Sequence, residues 1–450
     1  TTLIGTHKLE WRKVVICGVL ALTVELAGLG AETVPTGMLD LNLEIVPKVA
    51  ADVDLDEQAL TRKVREQRDI EADADRRFFS YAKAWWKEFL QLRSDHSQRL
   101  IKIFAQTENG VNRPVTSFVQ PLEGGRLIHS AGEAARFVSL LGYLRDEVIG
   151  GGRAEVWCDP HTFLVKGGGE VEEHATLLCS LLLGFDLDSY VVVGTTSGGE
   201  EHVWVATLDT AAATAALGDP LPKVTFWEAL TGARYADVGT EKPGTALPYG
   251  RIGSVFNHRN VWANIQSSDT IPDMTFDLWN PSRWKSMSEE ILRGVPKQPV
   301  PPLMPSPYNA LQLEEGIESE LASLITKHRK RKGLTIDWDP HLGYLLSPAL
   351  QAYEDERVSA ISSGNKDFGQ SIKRAMPQGH TFKAYPYPFR HVEPQRMLDV
   401  FLASPVAADI LSIQGGVDLA RFGLRVRVLT YPESALVAWV MLAVIFRTVE

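Results

Sequence analysis

The spacing of hydrophobic and polar positions changes period along the chain, and each change marks a region. Near the start, LTVELAGLG and TGMLDLNLEIVP place apolar residues at every second position around glycine and proline, the pattern of short strands. Strands this short need partners, so residues 1–47 read as the edge of a β-sandwich or as a small sheet packed on the next domain. From Leu55 to Leu92 the period becomes helical, without Gly or Pro. The stretch is highly charged until Phe78. There Phe78, Phe79, Tyr81, Trp85, Trp86 and Phe89 fall at helical spacing and predict a buried stripe. The charged half reads as a solvated connector or a partner-binding helix.

RLIKIFAQ (99–106) reads as a strand and TENGVNRP as the turn after it. Ser130 followed by Glu133 is a capping-box signature for a helix through HSAGEAARFVSLLGYL. VPKQPVPPLMPSP, with six prolines from Pro296 to Pro307, continues neither helix nor sheet and predicts a stiff spacer between domains. Beyond it lie two helical patterns and then LRVRVLTYPESALVAWVMLAVIF, which reads as two strands joined by a Tyr-Pro-Glu-Ser turn. Its apolar run Ala435–Phe446 has twelve residues, short of the roughly 20 a membrane-spanning helix needs. The basic run Lys327–Lys332 reads as a solvated helix end.

The fold class expected is α+β. The domains expected are 1–47, the end of a β-sandwich; 48–93, a helical connector; and 94–294, a papain- or transglutaminase-like domain. A Pro-rich linker at 295–308 then leads to an α+β domain at 309–450.

The composition fits several globular domains: 450 residues, 44% apolar and 23% charged. A net charge of -10 argues against nucleic-acid binding by the surface as a whole. Three cysteines make no disulfide framework and suggest a reducing, cytosolic setting. The chain begins without Met and without a signal peptide, and reads as a piece of a longer protein.

The candidate chemistry lies in KGGGEVEEHATLLCSLLLGF (166–185) and GGEEHVWVATL (198–208). A catalytic thiol is favoured at a helix N-terminus, where N–H groups and the dipole stabilise the thiolate. It needs a histidine base and an acid to orient that base. Gly167–Gly169 leading into a helical pattern supplies the seat, His202 opens an alternating strand, and Glu228 in KVTFWEALTG falls on the next strand. The seat itself holds Val171. Cys179 lies eight residues on, about 12 Å along a helix, among leucines that raise a thiol pKa. It reads as a core residue. His174 reads as a helix-face histidine. Cys158 with His161 or His174 lacks a second ligand pair at zinc spacing, so neither a metal nor a cofactor is expected.

These residues resemble the transglutaminase-like, papain-like superfamily, whose core reads Gly-x-Cys-x-acid-x-Ala, then His-x-Trp, then an acid. Gly169, Glu173, Ala175, His202 and Trp204 match; Val171 replaces the cysteine. More widely, YAKAWWKEFLQLRSDHSQRLIKIFAQTENGVNRPV, GRLIHSAGEAARFVSLLGY, EEHATLLCSLLLGF, TFWEALTGARY, PQGHTFKAYP and VRVLTYPESALVAWVM resemble, in order, the centrosomal protein of 76 kDa family. The resemblance implies a C-two-type β-sandwich, a peptidase-like domain and a C-terminal α+β domain. It also implies residence at the centrosome, centriole or cilium base, and restraint of centriole duplication through binding other centriolar proteins. The site expected is then a vestigial triad at Val171, His202 and Glu228 in a non-catalytic scaffold. The alternative is a residual hydrolase using His202 and Glu228. Membrane contact is expected only through the truncated β-sandwich, whose calcium loops would need clustered Asp. This stretch has only Asp40 before Pro47.

Overall fold

The computed structural model describes residues 7, 9, 11–27, 35–46, 56–145, 155–209, 222–236, 238, 246–297, 300, 302–361, 364, 366–415 and 420–447. The chain forms two compact units, Thr1–Gly124 with Leu141–Pro302, and Gly125–Leu140 with Leu303–Glu450. The stretch Gly125–Leu140, inside the 94–294 span expected for one domain, therefore packs with the C-terminal residues.

In the first unit, strands Val19–Ala27 and Pro35–Glu44 pair antiparallel, as their alternation predicts. The helix Glu57–Leu92 starts where the Asp56 carboxylate accepts from the amides of Gln58 and Ala59. Ala74, Phe78, Ala82, Trp85 and Phe89, spaced three and four apart, form its buried stripe, while Phe79 stays 49% exposed. Trp85 Nε1 donates to the Ser286 carbonyl at 2.9 Å and Tyr81 Oη accepts from the Ser288 amide at 2.7 Å.

The strand expected over 99–106 is shorter than expected, Phe104–Thr107. Side chains hold the residues before it in place of a ladder. Ser254 Oγ donates to the Leu100 carbonyl, and the Arg99 guanidinium donates to the carbonyls of Asn264 and Gln266. A Cβ on Gly253 would lie 2.2 Å from the Leu100 oxygen, so only glycine allows this approach.

The core sheet of this unit is antiparallel throughout. Its strand order is Arg234–Tyr235, Lys223–Trp227, Glu201–Asp209, Ser189–Thr196, Tyr249–Phe256, Val261–Asn264, Trp284–Ser286. The helix Val171–Gly184, buried at Leu177, Leu178, Cys179, Leu181 and Leu182, packs on its two central strands.

In the second unit, strands His380–Phe389 and Ala420–Thr430 flank Leu436–Arg447. The long apolar run is thus a buried central strand. Val440, Leu442 and Val444 meet Ile317, Leu321, Ile325 and Phe401 in one core. An edge strand exposes unpaired N–H groups that invite further pairing. Here the amides of Val426 and Val428 donate to the carboxylates of Glu318 (3.0 Å) and Glu314 (2.9 Å), one turn apart on the helix Ala310–Arg331. Phe422 exchanges backbone bonds with Asp337 and Asp339. The edge is closed by side chains and a loop.

The basic run is not wholly solvated. Arg329 is fully buried, lies over the Phe422 ring and donates to the carbonyls of Thr335, Leu411 and Ile413. Those carbonyls at a helix end and its flanking loops need donors, which is why one cation of the run turns inward. Among the described residues no helix is long and apolar enough to cross a membrane.

Candidate functional site

Each glycine before the Val171–Gly184 helix has its own structural cause. Gly167, at φ 72, ends the preceding helix Pro160–Lys166 in the left-handed region. Gly168 pairs with Gly142 so closely that a Cβ would sit 2.3 Å from the Gly142 oxygen. At Gly169 a Cβ would meet the Glu173 carboxylate. The run that reads as a nucleophile's seat makes room for backbone and for that carboxylate.

The helix begins at Val171. Glu170 and Glu173 form a capping box, each side chain accepting from the other's backbone amide. The Cys158 amide (3.1 Å) and thiol also bond to Glu173. Burial pushes Glu173 up to about 7, against these bonds and Lys166. The motif's acid is therefore a structural cap.

His174 is fully buried. Its Nδ1 lies 2.7 Å from the Glu170 carbonyl and Nε2 3.4 Å from that of Leu141, with the Phe163 ring against it. Cys179 is fully buried, and burial, with Asp188 adding to it, drives its thiol well above the usual range. Cys158 is also buried. Among the described residues no group of three or more His, Cys, Asp or Glu is placed to hold a metal ion.

The structure brings His202 and Glu228 together. His202 Nε2 donates to Glu228 Oε2 at 2.8 Å, the same oxygen accepts from Tyr249 Oη at 3.0 Å, and Oε1 accepts from the Leu230 amide at 3.2 Å. The carboxylate can only accept from His202, so Nε2 carries the proton of this bond.

Trp204, two residues on and on the same strand face, stacks on Tyr249 with ring centroids 4.2 Å apart. The His202 ring lies near-parallel to both. Gly194 sits opposite His202 in register. A Cβ there would come within 2.8 Å of Trp204 and 2.0 Å of the Arg251 carbonyl. The His-x-Trp pattern thus encodes a packed aromatic support for the histidine. Tyr249 escaped sequence reading because it lies 21 residues beyond Glu228 and no local pattern marks it. Burial, then Glu228, raises the pKa of its hydroxyl, so Tyr249 stays a donor.

A cleft of about 150 Å³ adjoins this dyad, lined among others by Lys102, Glu155, Trp157, Glu172, Glu201 and His202. Val171 is not among its lining residues; its neighbour Glu172 is. Lys102 is ion-paired with Glu155 and stands 5.7 Å from the centre of the Trp157 ring. Burial, reinforced by Glu155 and Glu170 and opposed by Lys102, pushes Glu172 up to about 7. The arrangement fixes the His202 ring through Glu228 and lines the cleft with Glu155, Glu172 and Glu201. It offers no thiol at the helix start, where valine can neither ionise nor attack a carbonyl.

Three family models match. They are described as CEP76 C2 domain (residues 1–51), CEP76 peptidase-like domain (155–287) and Centrosomal protein of 76 kDa C-terminal domain (306–447). The chain is 44% identical over its whole length to Centrosomal protein of 76 kDa of Homo sapiens, and 43% identical to that of Danio rerio. It covers 69% of each. Among solved structures, Legionella pneumophila LapG is 17% identical over 31% of this chain and 67% of its own. The TM-score of 0.23 is too low for shared topology to be inferred. The capped helix without a nucleophile, the His-x-Trp strand and the full-length identity converge: this chain belongs to the centrosomal protein of 76 kDa family.

Proposed function

We propose that this chain is a non-catalytic scaffold of the centrosome, centriole or cilium base, with a peptidase-like domain retained as an interaction fold. Family membership carries centrosomal residence. The observation that carries the rest is Val171 at the first position of a helix whose caps, glycines and packed dyad are otherwise intact. Covalent thiol catalysis has no nucleophile there, and Cys179 is too deeply buried to replace it. Glu173, His174 and the glycines each serve packing, so a fold can keep these residues without catalysis. Its partners are then other centriolar or ciliary proteins, and its role lies in regulating centriole duplication or cilium assembly.

The 2.8 Å His202–Glu228 bond favours one other reading, a hydrolase that activates water at His202 without a covalent intermediate. The test separates the two. Proximity labelling in cells is compared for the intact chain, for His202→Ala, and for a copy ending before Asn309. The scaffold reading expects His202→Ala to keep its neighbours, the truncated copy to lose many, and purified protein to leave amide and glutamine-transfer substrates unchanged. Turnover that His202→Ala abolishes would overturn it.

A further inference from the structure

We propose that the C-terminal unit carries a helix-receiving site, and that Ala131–Leu140 is its resident, releasable intrachain ligand, recognised through Gly132 and Arg136. The family match to the C-terminal domain covers 306–447 and leaves this helix out, yet Gly125–Leu140 packs within that unit. Ala134, Ala135, Phe137 and Val138 are buried. Gly132 lies so close to the helix Pro340–Ser359 that a Cβ would stand 2.2 Å from the Val358 carbonyl. One turn on, Arg136 makes two bonds to Glu354, Nε to Oε1 at 2.8 Å and Nη2 to Oε2 at 2.9 Å. The site therefore fits a short helix with a glycine and an arginine four positions apart.

Three observations make this a site with a ligand rather than ordinary core packing. The receiving carboxylate is positioned without the helix, because Tyr431 Oη donates to Oε1 at 2.6 Å and Trp439 Nε1 to Oε2 at 2.7 Å. Such preorganisation lowers the ordering cost of binding. The helix has ten residues, too few to persist alone in water, so docking and helix formation are coupled. The chain also leaves the first unit after Gly124 and returns at Leu141. Gly125, at φ 58, turns the chain at the first crossing in the left-handed conformation that glycine adopts without strain.

The experiment uses the full chain and a fluorescein-labelled peptide of residues 125–140. Gly132→Val excludes the resident helix and leaves the receiving residues intact. By fluorescence anisotropy the peptide should bind this variant at least tenfold more tightly than wild type. It should lose at least tenfold when Glu354→Ala is added, or when the peptide itself carries Arg136→Ala. Equal binding to wild type and Gly132→Val, or indifference to Glu354 and Arg136, would overturn the proposal. Loss of hydrogen-exchange protection across 436–445 in Gly132→Val would overturn it too, since the site would then not outlast its ligand.

Discussion

Glu354 in the C-terminal unit and Glu172 beside the peptidase-like cleft are both glutamates withdrawn from water on helices, and the protein treats them oppositely. Burial alone would raise Glu354. Arg136, Tyr431 and Trp439 outweigh it and hold the carboxyl below its usual range. Burial also dominates at Glu172, but there the neighbouring acids Glu155 and Glu170 reinforce it. Lys102, already paired with Glu155, compensates little, and the carboxyl stands at about 7. A buried charge is tolerated when its hydrogen bonds and a counter-charge are all supplied. The C-terminal unit supplies them and uses charge as structure. The cleft does not, and Glu172 remains in a surround that opposes its ionisation.

The largest effect should follow from breaking the satisfied site. Glu354→Ala leaves the Arg136 guanidinium, Tyr431 and Trp439 without their acceptor, and one-sided loss of a buried ion pair costs about 3–5 kcal/mol. Chemical denaturation read by hydrogen exchange in 436–445 should show this loss. The same site should be acid-sensitive. The folded pKa of Glu354 lies below the unfolded value of about 4.3, so its contribution is present above that value and is lost as pH falls through the folded one. A variant within 1 kcal/mol of wild type would mean the node is dispensable.

Glu172 should respond with the opposite sign. Its folded pKa of about 7 exceeds the unfolded value of about 4.3. Between them the folded state holds a proton the unfolded chain has released. Stability from this group is therefore full below about pH 4.3 and lost as pH rises through 7. Glu172→Gln removes the penalty, so at pH 8 it should stabilise the peptidase-like unit by about 1–3 kcal/mol and flatten the pH dependence of unfolding between 4.5 and 7. Destabilisation at pH 8 would show that Glu172 has a cationic partner.

The two regions also differ in what sequence could reveal. His202, Trp204 and Glu228 were legible because a strand alternates and a short motif fixes their order; the structure brings the first and last together. The Ser130–Glu133 cap was equally legible, and the Glu133 amide does donate to Ser130 Oγ. The unit to which that helix belongs was not. Arg136 meets Glu354 across 218 residues, and nothing local distinguishes this arginine from a solvated one. Arg329 hid in a basic run for the same reason, since two of its three carbonyl acceptors, Leu411 and Ile413, lie far along the chain. Tertiary partners of single charges leave no period.

Between these extremes stands the His202–Glu228 dyad, partly exposed at 18% and 13%. If it now serves packing, His202→Ala or Glu228→Ala should each cost about 1–3 kcal/mol, the price of an unpaired, mostly buried polar group. Glu228→Ala should be the larger, because it strands both His202 and Tyr249. Unchanged melting curves for both variants would place the dyad in service of something other than the fold.

The smallest effect, and the sharpest test of the contrast, concerns the missing nucleophile. Val171→Cys would return a thiol to a helix start, which favours a thiolate by about 0.3–1 kcal/mol, less than one unit of pKa. Against it stand Glu170, Glu172 and Glu173 within a turn, each adding on the order of 0.5–2 kcal/mol of repulsion once ionised. Glu172 and Glu173 both ionise near 7, just below the range where a thiol titrates. The repulsion is therefore fully developed when the thiolate must form, and the acids win. The introduced thiol should titrate at or above its ordinary value of about 8.5, be indifferent to His202→Ala, and be alkylated a few-fold faster when Glu172→Gln is added. Iodoacetamide rates against pH measure all three. A thiol titrating below 7 and slowed by His202→Ala would mean that the dyad still reaches the helix start, and that one substitution separates this cleft from a working one.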